Sequence, residues 1–175
     1  MYKKRTVSII LPALNEEKSI SKFISELKKL NIFDEIIAVD NNSTDNTKNE
    51  IKKNNVTYLF EKEKGYGAAV KRGLDYAKSD LLMVSEPEGS FDAKDSFLLL
   101  EKLENYDAVF TSRTFSNMIF YLKYGNKIYA KFLTFLFGGP KITDVGSSFR
   151  VFPKFIYDQF KNNLRYKGPE FQLEL

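Results

Sequence analysis

Short apolar runs alternate along the chain with longer stretches in which apolar residues recur every three or four positions. Each run is continuous instead of alternating with polar residues, which is typical of strands buried on both faces of a parallel sheet. Five runs are interpreted as strands: VSIIL at 7–11, EIIAVD at 35–40, VTYLF at 56–60, LLMVS at 81–85 and DAVFTSR at 107–113. The pattern therefore predicts the α/β class, with a mostly parallel sheet and helices on both faces.

The amphipathic stretches between these runs predict the helices. Pro12 is expected to end the first strand, and Asn15 to cap the helix after it. Ser43 or Thr44 is expected to cap a short helix that reaches about Lys53. The inward residues are predicted to be Ile20, Phe23, Ile24, Leu27 and Leu30 in the first helix and Ala69, Val70, Gly73, Leu74 and Ala77 in the helix of EKGYGAAVKRGLDYA, and a further helix is predicted over Asp95–Leu103.

Polar side chains collect where the predicted strands end. They are Asn15, Glu16 and Glu17 after the first strand, Asp40 and Asn41 at the second, Glu86 and Glu88 after the fourth, and Arg113 at the fifth. Ligands of parallel sheets bind beyond the carboxyl ends of the strands. Any one of these residues is explained equally well as a turn residue or a helix cap. Their convergence on one edge of the sheet favours a binding site.

The chain has 175 residues but neither cysteine nor histidine. Disulfides, thiolate metal sites and a histidine base are thereby excluded, so catalysis must use carboxylates, Lys, Arg, Tyr or the backbone. A bound metal is expected to be a hard divalent cation such as Mg²⁺ or Mn²⁺. The net charge of +4 is explained by ordinary solubility, and no nucleic-acid partner is expected.

The N-terminal apolar run at 7–11 is strand-like and too short for a signal peptide. No run approaches the roughly 18 apolar residues that a membrane span requires. The sequence is therefore expected to be that of a cytoplasmic chain.

The segment Glu86-Pro87-Glu88 presents two carboxylates around a proline that fixes the backbone between them. Carboxylates this close repel each other unless a positive charge lies beside them. A divalent cation shared with the phosphate oxygens of a ligand would remove that repulsion. The alternative is a solvated acidic turn.

Two other features suit an anionic ligand. Arg113 at a strand end is suited to bidentate phosphate binding. Lys64, together with Gly65 and Gly67, would allow a ligand to approach the backbone at the start of a helix. The spacing is neither G-x-G-x-x-G nor a P-loop, so the standard dinucleotide and NTPase sites are excluded.

Five segments occur in the order and spacing of the family 2 glycosyltransferases: VSIILPALNEEKSI, IIAVDNNSTDNT, KGYGAAVKRGLDYAKSDLLMVSEPEGSFDAKD, VFTSRT and TDVGSSFRVF. Over residues 6–153 the chain most resembles the dolichyl-phosphate mannose or glucose synthases and their polyprenyl-phosphate relatives. The resemblance implies the Rossmann-like GT-A fold and a metal-dependent, inverting hexosyltransferase. The implied donor is a UDP- or GDP-linked sugar, and the implied acceptor is a lipid phosphate.

The resemblance also implies roles for individual residues. Asn41 stands where the family usually has a second aspartate, and Glu86-Pro87-Glu88 occupies the place of its metal-binding D-x-D motif. The implied metal ligands are Glu86 and Glu88, and the implied nucleotide-binding residues are Pro12, Leu14, Asn15, Glu16, Asp40, Asn41, Lys64, Gly67, Glu86 and Pro87. The implied catalytic residues are Arg113 at the donor diphosphate, Arg150 at the acceptor phosphate, and Asp144 as a base or, preferentially, as an orienting group for the acceptor.

An amphipathic helix is predicted near 116–137, where aromatic residues accompany Lys123, Lys127 and Lys131. An apolar face beside lysines suits a helix lying on a membrane surface, and packing on the sheet of the same chain is the alternative. The resemblance favours the membrane, and with it a peripheral location at the cytoplasmic face. We expect residues 1–175 to form a single catalytic domain that is truncated at its C-terminus.

Two other functions stay open at this point. One is a family 2 transferase that glycosylates a saccharide hydroxyl in cell-surface polysaccharide synthesis, for which a base such as Asp144 would be needed. The other is a non-catalytic module that binds a sugar nucleotide without turnover. The departures at Asn41, Glu86 and Glu88 leave room for this module.

Overall fold

The computed structural model describes residues 1–88, 91–112, 128, 130–131, 134–135, 147–168 and 170–171. Arg113, Asp144 and most of the predicted helix near 116–137 lie outside the described residues. The predictions made for them are therefore not addressed by the geometry that follows.

The predicted order of strands and helices is confirmed in the described part of the chain. The strands are β1 (Val7–Ala13), β2 (Glu35–Asp40), β3 (Thr57–Phe60), β4 (Leu81–Val84), β5 (Val109–Phe110) and β6 (Arg150–Pro153). The helices are α1 (Ile20–Leu30), α2 (Thr47–Lys53), α3 (Tyr66–Tyr76), α4 (Asp95–Lys102) and α5 (Lys154–Phe160), and a 3₁₀ turn follows at Lys161–Asn163. The strand β6 and the helix α5 were not predicted.

Among the described residues, six strands form one sheet in the order β3-β2-β1-β4-β6-β5. The strands β1 to β4 pair in parallel, whereas β6 runs antiparallel to both β4 and β5. The register places Val84 opposite Arg150, so β6 brings an arginine to the carboxyl end of β4. The sheet is mostly parallel, as predicted, with one inserted antiparallel strand.

The prediction that Pro12 ends the first strand is wrong, because β1 continues to Ala13. The carbonyl of Ile10 accepts a hydrogen bond of 3.1 Å from the amide of Ser85, so Ile10 faces β4. Pro12, two residues later, faces the same side, where the pairing with β4 has already ended at Ile10. Its missing N–H therefore removes no bond from the sheet, and proline is tolerated in a central strand.

Helices cover both faces of the sheet and complete two apolar layers. One layer contains buried residues of α1, α2 and α4, and the other contains buried residues of α3 and α5. Successive strand residues enter opposite layers, so Ile9 belongs to the first and Ile10 to the second. This arrangement explains why each strand is a continuous apolar run.

The described residues of the segment near 116–137 are helical. Ile128 is 69% exposed and Phe135 is 87% exposed, whereas Ala130 is buried. The hydroxyl of Thr134 donates a hydrogen bond of 2.9 Å to the carbonyl of Ala130, as expected one helical turn earlier. Across the described part of the chain, no helix combines the length and apolar character needed to cross a membrane.

Candidate active site

A pocket of about 240 Å³ lies at the carboxyl edge of the sheet, between β1, β2 and β4. Its walls include seven residues that were predicted to form the site: Pro12, Leu14, Glu16, Asn41, Glu86, Pro87 and Glu88. They also include Gly65 of the predicted anion-approach loop, and Ala13, Tyr66 and Ala69, which were not predicted. Small or aromatic residues at a strand end and a helix start are usual core residues, so no sequence signal separated these three from the core.

The loops after β1 and β2 are joined by reciprocal hydrogen bonds. Asn15 accepts a bond of 2.9 Å from the amide of Thr44 at its Oδ1, and its own amide donates to the Oγ of Ser43 at 3.1 Å. Further along, the amide of Glu17 donates to Asp45 Oδ2 at 3.1 Å, and the amide of Asn46 returns a bond of 3.0 Å to Glu17 Oε2. These bonds therefore fix the two loops to each other at the mouth of the pocket.

These bonds correct the predicted helix caps. The helix α1 begins at Ile20, after Ser19, so Asn15 does not cap it. The helix α2 begins at Thr47, after Asn46, so neither Ser43 nor Thr44 caps it. The polar side chains that resembled local caps are used to join one loop to the other.

Asp40 lies buried at the end of β2, and both of its carboxylate oxygens accept hydrogen bonds from the protein. Oδ1 accepts from the amide of Ser43 at 3.0 Å, and Oδ2 accepts from the hydroxyl of Tyr58 at 3.1 Å. Burial, followed by the charge of Asp40 and this hydrogen bond, raises the pKa of Tyr58 to about 12. Asp40 thus fixes the loop after β2, while its predicted contact with a nucleotide stays a prediction.

Asn41 connects the pocket to the loop between β3 and α3. Its Nδ2 donates to the carbonyl of Glu63 at 2.6 Å, and its Oδ1 accepts from the amide of Gly65 at 2.8 Å. Its own amide donates to the carbonyl of Ala13 at 2.8 Å, which anchors it to β1. One buried amide side chain therefore holds both ends of the stretch 63–65, whose last residue, Gly65, lines the pocket.

The glycines at the start of α3 are approached closely by Tyr166, Lys167 and Phe171 of the same chain. Gly65 has φ +142°, a conformation that favours glycine, and a Cβ there would collide with the carbonyl of Lys167. A Cβ on Gly67 would lie 2.5 Å from Phe171 Cβ and 2.9 Å from the carbonyl of Tyr166. Packing within the chain thus explains why both positions require glycine. The binding of an anionic ligand by exposed Lys64 and by Gly67 stays a prediction.

Glu86 and Glu88 form the acidic wall of the pocket. Glu86 is half-buried, Pro87 is buried and Glu88 is exposed. In the described part of the chain, no group of three or more acidic side chains is placed to hold a metal ion by itself. Magnesium and manganese commonly bind to one or two carboxylates and complete their coordination with ligand phosphates and water. A pair of carboxylates in a pocket of this size fits such a cation, with the remaining ligands supplied by a diphosphate.

Arg150 lies buried on β6 beside this acidic wall. Its guanidinium donates to the carbonyl of Ser147 at 2.6 Å and lies 5.2 Å from the centre of the Phe110 ring. Burial lowers the pKa of Arg150, while the neighbouring Tyr66 and Glu86 oppose that shift. Arginine keeps its charge at neutral pH, so a fixed cation stands close to Glu86.

The sequence profile of glycosyl transferase family 2 matches residues 8–160. A UDP-N-acetylglucosamine–dolichyl-phosphate N-acetylglucosaminyltransferase of Methanococcus voltae is 29% identical, over 95% of this chain and 76% of that protein. A low-salt glycan biosynthesis hexosyltransferase of Haloferax volcanii is 27% identical, over 85% of this chain and 38% of that protein.

A solved structure shares the fold. It is the glucosyl-3-phosphoglycerate synthase of Mycobacterium tuberculosis in complex with Mn²⁺, uridine diphosphate and glucosyl-3-phosphoglycerate. The TM-score is 0.76 at 20% identity, with 97% of this chain and 63% of that chain covered. The chain therefore spans roughly two fifths to three quarters of these three relatives.

Proposed function

Because the chain belongs to glycosyl transferase family 2, we propose that its pocket binds a UDP-linked sugar and that the protein transfers the sugar, with inversion, to a polyprenyl phosphate. The observation that carries the proposal is the composition of the pocket wall. Apolar Pro12 and Leu14 come from β1 and the loop after it, and the carboxylates Glu86 and Glu88 come from the loop after β4. A nucleoside diphosphate has the same division, with a flat base at one end and a charged diphosphate at the other.

The proposed donor is UDP-linked because of the relatives, not because of the pocket shape. The Methanococcus voltae relative is named for a UDP-linked donor, and the structure that shares the fold was solved with uridine diphosphate. GDP remains the competing nucleotide in the experiment below.

Glu86 and Glu88 are the residues that would hold a divalent cation. When bound, such a cation neutralises negative charge on the departing nucleoside diphosphate. Arg150, which is assigned to the acceptor phosphate, places a positive charge near Glu86, and its burial keeps water from screening that charge. Arg113 is assigned the same role at the donor diphosphate, although it lies outside the described residues.

The proposed reaction is a direct displacement at the anomeric carbon. An oxygen of the acceptor phosphate forms the new bond to that carbon, while the bond to the nucleoside diphosphate breaks and its electron pair leaves with the diphosphate. A phosphate oxygen is already anionic, so this step needs no general base, and a chain without histidine suits it. Asp144 is assigned the orientation of the acceptor.

A lipid phosphate acceptor requires the protein to reach a membrane surface. The acceptor is proposed from the Methanococcus voltae relative, whose name includes dolichyl phosphate. The exposed side chains of Ile128 and Phe135 would suit insertion among lipid head groups, with Lys131 beside them. We therefore propose a peripheral location at the cytoplasmic face of a membrane.

The donor site is tested by calorimetric titration with UDP and GDP, each with and without Mn²⁺ or Mg²⁺, on the wild type and on Glu88→Ala. We expect UDP to bind only with the cation and Glu88→Ala to lose at least about tenfold in affinity, since a charged ligand group is removed. Glu101→Ala removes an exposed glutamate on α4, away from the pocket, and should bind like the wild type. Cation-independent binding that is unchanged in Glu88→Ala would refute the metal role.

The acceptor is tested by incubating UDP-sugars with polyprenyl phosphate in vesicles, and separately with saccharide acceptors. Transfer to the lipid phosphate alone supports the proposal. Transfer to saccharide hydroxyls identifies the alternative transferase, and nucleotide binding without any transfer identifies a non-catalytic module.

A further inference from the structure

The amide nitrogen and the amide oxygen of the Asn41 side chain both form hydrogen bonds to the loop between β3 and α3. The loop residues Glu63 and Gly65 are two positions apart, and each gives one backbone group to Asn41, a carbonyl at 2.6 Å and an N–H at 2.8 Å. Among ordinary side chains of this length, only asparagine can donate and accept at once without changing its charge. An ionised aspartate could accept from Gly65, but its second oxygen would face the carbonyl oxygen of Glu63.

The same loop is held from two further directions. Its first residue, Glu61, donates its amide to the carbonyl of Asp40 at 2.9 Å and accepts the amide of Glu63 at 2.8 Å. On the outer side, Lys167 Nζ donates to Glu63 Oε1 at 2.6 Å. Both outer side chains of that pair are more than half exposed, so the pair is screened by solvent and contributes little. The buried bridge from Asn41 is therefore the strongest constraint on this part of the loop.

The loop matters because it forms part of the pocket. Gly65 and Tyr66 line the cavity together with Asn41 itself. If the bridge opens, the backbone at Gly65 is free to move, and with it the wall that includes Tyr66. If only the closed pocket binds, the apparent affinity equals the affinity of the closed pocket multiplied by the fraction of time that the pocket is closed.

We propose that Asn41 is a positioning residue of the nucleotide pocket: its neutral amide holds the Glu63–Gly65 loop closed and so sets the wall formed by Gly65 and Tyr66. The inference rests on the proposed binding of a nucleotide in this pocket and adds to it the reason for an asparagine at this position. An ionised aspartate at this position would not form the same bridge.

Three variants test the bridge by UDP affinity in the presence of Mn²⁺, measured between about pH 5 and about pH 8. In Asn41→Ala both bonds are lost, and affinity should fall about tenfold at every pH, the size expected when buried backbone groups lose their partners. In Asn41→Asp the affinity should fall about as far at high pH. It should return towards the wild type at about pH 5, because burial beside the Glu63 carbonyl raises the pKa of the introduced carboxyl group above its ordinary value of about 3.9, and the protonated group can again donate to Glu63. Asn105→Asp makes the same exchange at an exposed position on the surface and serves as the control.

Other titratable groups near the pocket also change with pH, so affinities are compared as ratios to the wild type at the same pH. They are Asp40 beside Asn41, Glu16 on the first loop, Lys64 and the Glu63–Lys167 pair on the bridged loop, and Glu86 and Glu88 after β4. The titration of groups that are distant from residue 41 is common to all variants and cancels in the ratio, whereas Asp40 responds to a new neighbouring carboxylate and is part of what Asn41→Asp measures. A ratio for Asn41→Asp that does not change with pH would overturn the proposal. An Asn41→Ala variant that binds like the wild type would also overturn the proposal, because charge repulsion alone would then explain the loss of affinity in Asn41→Asp.

Hydrogen exchange without nucleotide separates this inference from the proposed function. A peptide covering residues 61–66 should exchange faster in Asn41→Ala than in the wild type, while a peptide from β2 should exchange at the same rate in both. If the wild type binds neither UDP nor GDP, the proposed function fails and the exchange rates still decide on the bridge. Equal exchange of residues 61–66 in both proteins would refute the bridge whatever the pocket binds.

Discussion

Replacing Gly67 by alanine tests whether residues 166–171 pack on the start of α3. The added Cβ would lie 2.5 Å from Phe171 Cβ, 2.8 Å from Phe171 Cγ and 2.9 Å from the carbonyl oxygen of Tyr166. None of these atoms is the free end of a flexible side chain, so the neighbouring segment must shift as a whole. Overpacking of this kind costs about 1–3 kcal/mol.

A second effect acts in the opposite direction. Alanine in a helix is favoured over glycine by up to about 1 kcal/mol. The net expectation for Gly67→Ala is a loss of about 1–2 kcal/mol, because the clash involves backbone and Cβ atoms and lies towards the upper part of its range. The assay is urea unfolding followed by far-ultraviolet circular dichroism, with Arg72→Ala on the exposed side of α3 as the control. The control should stay within about 0.5 kcal/mol of the wild type.

A double-mutant cycle tests whether the destabilisation by Gly67→Ala comes from its contact with Phe171. Phe171 is fully buried, so Phe171→Ala alone should cost about 3–5 kcal/mol and loosen the segment from α3. In that background Gly67→Ala should cost less than it does in the wild type, or should stabilise the protein. The reasoning is refuted if Gly67→Ala stabilises the otherwise unchanged protein by the helix-propensity gain, since the packing of Phe171 on α3 would then be absent.

Two further predictions concern pH. Burial raises the pKa of Asp45, but hydrogen bonds from Thr47 and from the amide of Glu17 lower it more. The pKa of Asp45 in the folded protein is therefore below its ordinary value of 3.8. The stabilisation that the Asp45 carboxylate contributes is therefore fully present above the ordinary pKa of 3.8. It is lost as the pH falls through the lower pKa of the folded protein. The stability difference between the wild type and Asp45→Asn, at most about 1 kcal/mol after solvent screening, should be constant at neutral pH and vanish in acid. Tyr58 has a pKa raised from 10.0 to about 12, so its stabilisation is present below 10.0 and is lost as the pH rises through about 12. Urea midpoints measured across this alkaline range should fall less steeply in Tyr58→Phe, and equal slopes would contradict the Asp40–Tyr58 bond.

The parallel part of the sheet was predictable because its signals are local. Each buried strand is a continuous apolar run, and each helix repeats its apolar residues at helical spacing, as α1 shows with Ile20, Ile24 and Leu27. The strand β6 escaped prediction because it has only four residues and is defined by its pairing with β4, which is distant in sequence. A short segment carries too little periodicity to reveal a partner of that kind.

The site was predictable to the level of the sheet edge and the residues that carry charge. Glu86 and Glu88 could be placed at that edge because they directly follow an apolar strand, and they do line the pocket, while their role as metal ligands stays a prediction. The predictions that Asn15 and Ser43 cap helices were wrong. A polar side chain near a helix start has the same sequence signal whether it bonds to its own helix or to another loop. The bridge made by Asn41 depends on a loop more than twenty residues away along the chain, and only the fold brings the two together.

The position of β6 also bears on how the protein is made. A nascent chain emerges from its N-terminus, and the block β3-β2-β1-β4 comes entirely from its first half, so it can assemble while the ribosome is still at work. Until residue 150 has emerged, β4 has only one neighbour in the described sheet, and Glu86 lacks the charge of Arg150. The arrival of β6 then completes the sheet and brings a positive charge to the acidic wall of the pocket in a single step. We therefore expect a nascent chain that stops before residue 150 to have a folded core without a competent pocket.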